Sequence, residues 1–131
     1  MKDRIRELKE EVKKGKIASA LKLAEAFKWG YYGEADPHRA ARMYRICCKA
    51  KDKKIAALAY YNLGILYYYG YLNGNGNCEG EKAFSCFLQS TIKAPTRAAM
   101  CKIGDMYRYG QYVKKDESRA LNFYLMANRI A

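Results

Sequence analysis

One histidine and two aspartates are the residues of this chain with the clearest potential for chemistry. His38 is the only histidine, and an imidazole can act as a general base near neutral pH. It follows Asp36-Pro37, however, and an aspartate followed by proline is typical of a helix start. Asp116 directly precedes a predicted helix over about 117–129. We therefore interpret both aspartates as helix caps and His38 as a surface residue.

The five cysteines have no spacing that is typical of a zinc site. Cys47 and Cys48 are adjacent and cannot easily bridge to each other, and Cys47 takes a position that small residues fill elsewhere in the chain, which indicates a buried core residue. A bridge between Cys78 and Cys86 stays open. We favour free thiols, a reducing compartment and a cytoplasmic location.

The chain lacks the other patterns of catalytic chemistry. No Ser-His-Asp set or paired carboxylate cluster is present, and Gly74-Asn75-Gly76 lacks the lysine and the following helix of a phosphate-binding loop. We therefore predict a protein that is not an enzyme, with no catalytic residue, no metal ligand and no cofactor.

The elements that position these residues repeat along the chain. Glycines forty residues apart each follow an aromatic residue three positions earlier, a small residue six earlier and an aliphatic residue seven earlier. The three sets are Leu23, Ala24, Phe27 and Gly30; Leu63, Gly64, Tyr67 and Gly70; and Ile103, Gly104, Tyr107 and Gly110. A fixed period of this length is typical of a helical repeat array.

The second half of each repeat carries a small residue with an aromatic residue four positions later. These pairs are Ala40 with Tyr44, Ala83 with Phe87, and Ala120 with Tyr124. Residues at this spacing share one face of a helix. Each repeat is therefore predicted as helix A, a turn and helix B, with helices over about 18–30, 37–50, 55–70, 80–92, 96–109 and 117–129.

At these residues the chain resembles the Sel-1-like repeat family, a relative of the tetratricopeptide repeats, and the resemblance covers residues 17–130. It departs from the family pattern at Ala24, which replaces the motif glycine, and at Tyr32 and Tyr112, which replace the second glycine of the turn. Repeat two also carries three extra residues in its turn. The resemblance implies an all-α fold, an α–α superhelix (solenoid) of three helix-turn-helix repeats that binds another macromolecule.

The whole chain, 1–131, is predicted to be one domain, with a cap over about 1–16 and repeats over about 17–52, 53–94 and 95–131. A short charged helix over about 3–14 carries Ile5, Leu8 and Val12 at helical spacing and is expected to cap the first repeat. No apolar run approaches the roughly 20 residues that a membrane span needs, and the N-terminus has no signal-peptide core. We therefore expect no membrane partner.

The A helices are expected to carry a binding groove. By the resemblance, groove-facing positions lie two residues before the motif aliphatic residue and two, five and six after it. The predicted groove residues are Lys28, Trp29, Tyr61, Ile65, Tyr68, Tyr69, Arg108 and Tyr109. Tyr, Trp and Arg are the residue types that dominate interface energetics. The alternative is that several of these tyrosines pack between neighbouring repeats.

Charge suggests a second surface. The chain has 25 Lys and Arg residues against 13 Asp and Glu residues, a net charge of +12. Four of the cations are spaced to form one stripe on the first helix B, opposite its inward residues: Arg39, Arg42, Arg45 and Lys49. Such a stripe can hold an acidic partner or a nucleic-acid backbone. The alternative is an ordinary solvated helix face.

The functional prediction is a non-catalytic binding module. We predict a protein–protein interaction adaptor or inhibitor that engages an acidic or extended partner segment, with nucleic-acid binding through the stripe and the groove aromatics as the alternative. Leu121 and Leu125 lie one turn apart on the last helix and are expected to leave an apolar patch exposed. We expect this patch to be used, by self-association, by a partner or by folding back of the final residues.

Overall fold

The computed structural model describes residues 2–130, and over this range the chain is a stack of seven α-helices with no strand. The helices are α1 (Lys2–Lys13), α2 (Ile17–Trp29), α3 (Pro37–Cys47), α4 (Lys53–Tyr68), α5 (Gly80–Lys93), α6 (Arg97–Tyr109) and α7 (Glu117–Asn128). Each helix packs mainly against its neighbours in sequence, as expected for a repeat array. The predicted all-α repeat fold is confirmed, and every helix boundary lies within three residues of its predicted place.

Side chains cap the helix starts where the sequence indicated. Asp36 accepts a hydrogen bond from the Arg39 backbone N–H at 3.1 Å, and Asp116 accepts one from that of Arg119 at 3.0 Å. His38 is exposed in the first turn of α3. The helix α3 ends at Cys47 rather than at residue 50, because the chain tightens there: the N–H of residue 49 bonds to the carbonyl of Ile46 at 3.2 Å, three residues back.

The turns after the A helices use left-handed backbone. Gly30, Gly70 and Gly110 have φ values of 70°, 70° and 65°, a conformation that glycine adopts without the steric cost of a Cβ. Tyr112 also has a φ of 68°, although a tyrosine there costs about 1–2 kcal/mol relative to the right-handed conformation. The departure from the family pattern at Tyr112 therefore keeps a left-handed residue in the turn.

Two motif glycines let helix A and helix B of a repeat approach closely. A Cβ on Gly64 would lie 2.7 Å from Cε1 of Phe87, and a Cβ on Gly104 would lie 2.7 Å from Cε1 of Tyr124. Both distances are shorter than a carbon–carbon contact allows. In repeat one, Ala24 is fully buried in the same position, so that helix pair accommodates a methyl group.

The core forms a first cluster that extends from α1 to α5 and a second that extends from α4 to α7. Leu8 of α1 is buried in the first cluster, and the Ser19 hydroxyl donates to Glu11 Oε2 at 2.8 Å, which ties α1 to α2. Helix α1 therefore covers the first repeat as expected. Cys47, Ser90 and Ala127 occupy equivalent buried positions, which confirms Cys47 as a core residue.

All five cysteines are free thiols in the structure, with Cys78 exposed and Cys86 buried. Burial raises the pKa of the Cys47 and Cys86 thiols to about 11. Burial is also the main reason that the pKa of the Cys48 thiol rises to about 12. These three thiols are therefore protonated and poorly nucleophilic at neutral pH.

Candidate functional site

The A helices of the three repeats are α2, α4 and α6. Each of them has an exposed aromatic residue at its C-terminal end, with a cation beside the ring. Trp29, Tyr69 and Tyr109 are 60%, 49% and 62% exposed. Lys28 Nζ lies 5.1 Å from the Trp29 ring centroid, and Arg108 Cζ lies 5.4 Å from that of Tyr109. Lys102 Nζ lies 4.8 Å from the Tyr69 ring centroid. We call these contacts the cation–ring pairs, and all three distances are within the range of cation–π attraction.

The three rings recur because they hold one position of the repeat, immediately before the turn glycine. In repeats one and three the residue before the ring supplies the cation. In repeat two that residue is Tyr68, and the cation comes instead from Lys102 of the next repeat. The pair of repeat two therefore joins neighbouring repeats. The three rings line one face, which we call the A-helix face.

Lys102 is the most constrained of the three cations. Its Nζ donates to the Tyr69 hydroxyl at 2.6 Å and also lies 4.9 Å from the Tyr68 ring centroid. Burial works against the ammonium charge, but the hydrogen bond to Tyr69 and the neighbouring tyrosines outweigh it, so the pKa of Lys102 is raised. Lys102 therefore presents a fixed positive charge at neutral pH.

Tyr61, Ile65 and Tyr68 form the floor of the A-helix face and are only half-exposed. The ring centroids of Tyr61 and Tyr68 lie 5.8 Å and 6.2 Å from that of Phe87 in the second core cluster. The Tyr68 hydroxyl donates to Gln111 Oε1 at 2.6 Å. Both rings thus pack on helix B of their own repeat, and the Tyr68 hydroxyl also contacts the next repeat.

Carboxylates beside the rings are engaged by tyrosines of the B helices. Glu25 accepts from the Tyr44 hydroxyl at 2.9 Å and from the Trp29 indole N–H at 3.2 Å. Asp105 accepts from the Tyr124 hydroxyl at 2.5 Å. The carboxylates of repeats one and three are therefore held by internal donors.

Repeat two replaces both members of this contact. Ile65 takes the position of the carboxylate, and Phe87 takes the position of the tyrosine. Both residues belong to the second core cluster. An unpaired hydroxyl or carboxylate would be costly at such a site, so the polar atoms are present or absent together. The middle of the A-helix face is consequently apolar.

The predicted basic stripe contains two cations that contact other side chains and two that are exposed without an ion pair. Arg39 Nε lies 3.4 Å from Asp36 Oδ2, and its guanidinium lies 5.7 Å from the Phe27 ring centroid. Arg45 donates to the Tyr67 hydroxyl at 2.9 Å. Arg42 and Lys49 are exposed, and neither forms an ion pair with another residue in the 2–130 range. Lys49 lies beyond the end of α3, contrary to the predicted helix.

The contact of Arg39 recurs in every repeat, which shows that it is structural. Lys82 pairs with Glu79 at 3.5 Å, and its Nζ lies 5.5 Å from the Tyr67 ring centroid. Arg119 pairs with Asp116 at 3.5 Å and lies 5.7 Å from the ring centroid of Tyr107. In each repeat a basic residue thus joins the start of helix B to the motif aromatic residue of helix A.

The family follows from the match of the repeats themselves. The model of the Sel1 repeat matches three stretches of the chain, residues 17–52, 57–91 and 97–129. The chain belongs to the Sel1 repeat family. Sel1 repeats generally mediate protein–protein interactions and are typically non-catalytic scaffolds. No curated protein matches the chain in sequence.

Two solved structures have the same fold as these Sel1 repeats. One is a Sel1 repeat protein from Oxalobacter formigenes, 20% identical, with a TM-score of 0.77 over 95% of this chain. The other is a protective antigen of uropathogenic Escherichia coli that displays an SLR fold, 22% identical, with a TM-score of 0.73 over 95% of this chain. The chain spans 48% of the first protein and 25% of the second. Both likenesses establish the fold alone.

Sequence reasoning missed Lys102 and Asn62, which support the cation–ring pairs of the Sel1 repeats. Both lie directly before the motif aliphatic residue, a position left out of the expected groove set. Asn62 Oδ1 accepts from Lys28 Nζ at 2.9 Å, so it orients the cation of the first cation–ring pair. The signal in the sequence was the polar residue that recurs at this position, Lys22, Asn62 and Lys102.

Two further features of the Sel1 repeat array concern membranes and metals. Within residues 2–130, no helix is both long enough and apolar enough to cross a membrane. In the same range, no three His, Cys, Asp or Glu side chains are grouped so that they could hold a metal ion.

Proposed function

We propose that this Sel1 repeat chain is a protein–protein interaction module, an adaptor or an inhibitor, whose A-helix face binds an extended acidic segment of a partner. The observation that carries the proposal is the series of three cation–ring pairs at one repeat position, each with an exposed ring. Exposed aromatic rings with basic neighbours are the residue types that most often become energetic anchors when a partner covers them.

Charge supports an acidic partner. The net charge of +12 attracts acidic molecules at long range and accelerates their association at low ionic strength. Lys102 adds a local anchor because its ammonium is held between two tyrosine rings. A carboxylate that meets Lys102 and the Tyr69 hydroxyl finds both a charge and a second hydrogen-bonding group.

The carboxylates of the A-helix face favour a peptide over a nucleic acid. Glu25 and Asp105 lie on the same face as the cation–ring pairs, and a continuous run of phosphates would be repelled by them. A peptide can place single carboxylates at the cations and neutral residues elsewhere. The exposed rings of Trp29 and Tyr109 are the observation that favours the nucleic-acid alternative, since exposed rings beside cations can stack bases.

The proposal includes a cytoplasmic location. Its support is the state of the cysteines, which are free thiols, three of them buried in the core. Free thiols persist in reducing compartments.

The proposal is tested with labelled probes of defined charge. Fluorescence anisotropy would compare a short peptide of alternating Asp and Ser, its Lys and Ser counterpart, and a single-stranded oligonucleotide of equal charge. We expect the acidic peptide to bind, with Lys102→Gln weakening it several-fold. Lys14→Gln removes the same charge from an exposed site before α2 and serves as the control. Equal effects of the two substitutions would contradict a specific site, and tighter binding of the oligonucleotide would favour the alternative.

A further inference from the structure

A second feature of the A-helix face is an apolar pocket between α4 and α6, at the end opposite the cation–ring pairs. Its volume is about 430 Å³. We call it the α4–α6 pocket. Its apolar lining consists of Ala57, Leu58, Tyr61, Ala94, Pro95 and Ala98. Leu58 is 44% exposed, and Lys54 lies among the lining residues. The pocket is large enough for one leucine or phenylalanine side chain.

The pocket and the central cation–ring pair are joined by one continuous stripe of α4. Leu58, Tyr61, Ile65 and Tyr68 are spaced three, four and three residues apart, so they share a helix face. No carboxylate interrupts the stripe, because repeat two has Ile65 where the other repeats have Glu25 and Asp105. A peptide that lies along this stripe meets apolar surface until it reaches Lys102 and Tyr69.

The length of the stripe sets a spacing in the partner. Leu58 and Tyr69 are eleven residues apart along α4 and its end, which corresponds to roughly 16 Å at a rise of about 1.5 Å per residue. An extended peptide advances about 3.3 Å per residue. About five residues of an extended chain therefore cover the same distance.

We propose that the partner segment places one large apolar side chain in the α4–α6 pocket and a carboxylate against Lys102 and Tyr69, with the two groups about five residues apart. Charge complementarity identifies the occupant as an acidic segment, since Lys54 lines the pocket and Lys102 lies at the other end of the stripe. The Asp105 carboxylate near Tyr68 is already engaged by the Tyr124 hydroxyl. The inference rests on the proposed function and specifies the chemistry of the partner.

The experiment is a spacing series of labelled peptides, each with one leucine and one aspartate separated by Ser and Gly residues. Affinities come from fluorescence anisotropy at low salt. We expect the tightest binding at a separation of about five residues, roughly tenfold tighter than for the same peptide without leucine, since burial of a leucine is worth about that factor. Ala98→Leu, an exposed position of α6 that lines the pocket, should abolish the gain from leucine and keep the binding of the aspartate.

The control is Ser85→Leu, which adds the same side chain at an exposed position of α5 and should preserve the gain from leucine. Aspartate peptides that bind with no gain from leucine at any separation would overturn this inference and leave the proposed function standing. Peptides that fail to bind with or without leucine would overturn both. A gain that survives Ala98→Leu would show that the apolar side chain binds elsewhere.

Discussion

At the residue scale, contacts between helix A and helix B are decided by single atoms. A missing Cβ at Gly64 and Gly104 lets an aromatic ring lie against helix A. In repeats one and three, a tyrosine hydroxyl of helix B also meets a carboxylate, and the pair Asp105 with Tyr124 shows this contact at 2.5 Å. These contacts fix the position of helix A against helix B, and helix A carries the rings of the cation–ring pairs.

Gly104→Ala should destabilise the fold because the new Cβ would meet Tyr124 Cε1 at 2.7 Å. Overpacking of this kind costs about 1–3 kcal/mol of unfolding free energy. Gly33→Ala is the matched control, since a Cβ there meets nothing within 4 Å. Urea titration of both variants measures the difference, and equal stabilities would contradict the close packing of α6 on α7.

Stability should fall at alkaline pH because the buried Tyr44 and the partly buried Tyr124 stay neutral in the folded state to a higher pH than in the unfolded chain. Burial first and the Asp105 carboxylate second raise the pKa of Tyr124 from 10.0 to about 12, and burial and Glu25 raise the pKa of Tyr44 further. The unfolded chain ionises first, so this stability is complete below about pH 10 and is lost as the pH rises towards the folded pKa.

Tyr124→Phe should therefore flatten the decline of unfolding free energy between pH 10 and 12, by at most about 1.4 kcal/mol per pH unit. The measurement is urea unfolding at several alkaline pH values. The buried thiols of Cys47, Cys48 and Cys86 titrate in both proteins and cancel in the comparison. If the unfolding free energy of the variant declined with pH as steeply as that of the native chain, the pKa of Tyr124 would be the same in the folded and unfolded states.

At the element scale, α3 and the residues directly after it carry two kinds of basic side chain. Arg39 and Arg45 join α3 to α2 and α4 through Phe27 and Tyr67. Arg42 and Lys49 point to solvent. The stripe predicted from the sequence is therefore half structural, and only its second half is an available cationic surface. The two halves allow substitutions of equal charge to be compared.

Arg42→Glu with Lys49→Glu should change the unfolding free energy by less than about 0.5 kcal/mol, as for surface substitutions generally. Arg39→Glu with Arg45→Glu should lower the unfolding free energy by about 1 kcal/mol or more. This double variant loses the contacts of both arginines and places a glutamate beside Asp36. Thermal unfolding monitored by circular dichroism compares them. Equal losses in the two variants would mean that charge, and not the contacts, sets the effect.

At the scale of the whole molecule, the array leaves an apolar face of α7 exposed. Leu121, Leu125 and Met126 are 56%, 48% and 39% exposed. We propose that this face associates with a second copy of the chain, since exposed apolar patches mark contact surfaces.

Light scattering coupled to size exclusion should show an average mass that rises with concentration for the native chain. Leu121→Lys with Leu125→Lys should keep the mass at that of the monomer, because the apolar face is replaced by charge. Ala18→Lys with Ser85→Lys adds the same charge at exposed positions of other helices and should still associate. A native chain that stays monomeric at high concentration would exclude this use of α7.

The repeats and the approximate helix boundaries follow from the sequence alone. These features depend on local rules: the 3.6-residue period of a helix, the left-handed preference of Gly30 and Gly110, and the capping by Asp36 and Asp116. Each rule involves residues close together in sequence. The family resemblance also implied groove positions for the rings of Trp29, Tyr69 and Tyr109, which are exposed in the structure.

The completion of the A-helix face depends on contacts between residues far apart in sequence. Lys102 meets Tyr69 across 33 residues, and Arg45 meets Tyr67 across 22. The α4–α6 pocket exists because Leu58 and Ala98 of successive A helices face each other. Such contacts depend on how far one repeat is rotated against the next and on the reach of long side chains. No local pattern carries that information, so the pairing of cations with rings follows from packing.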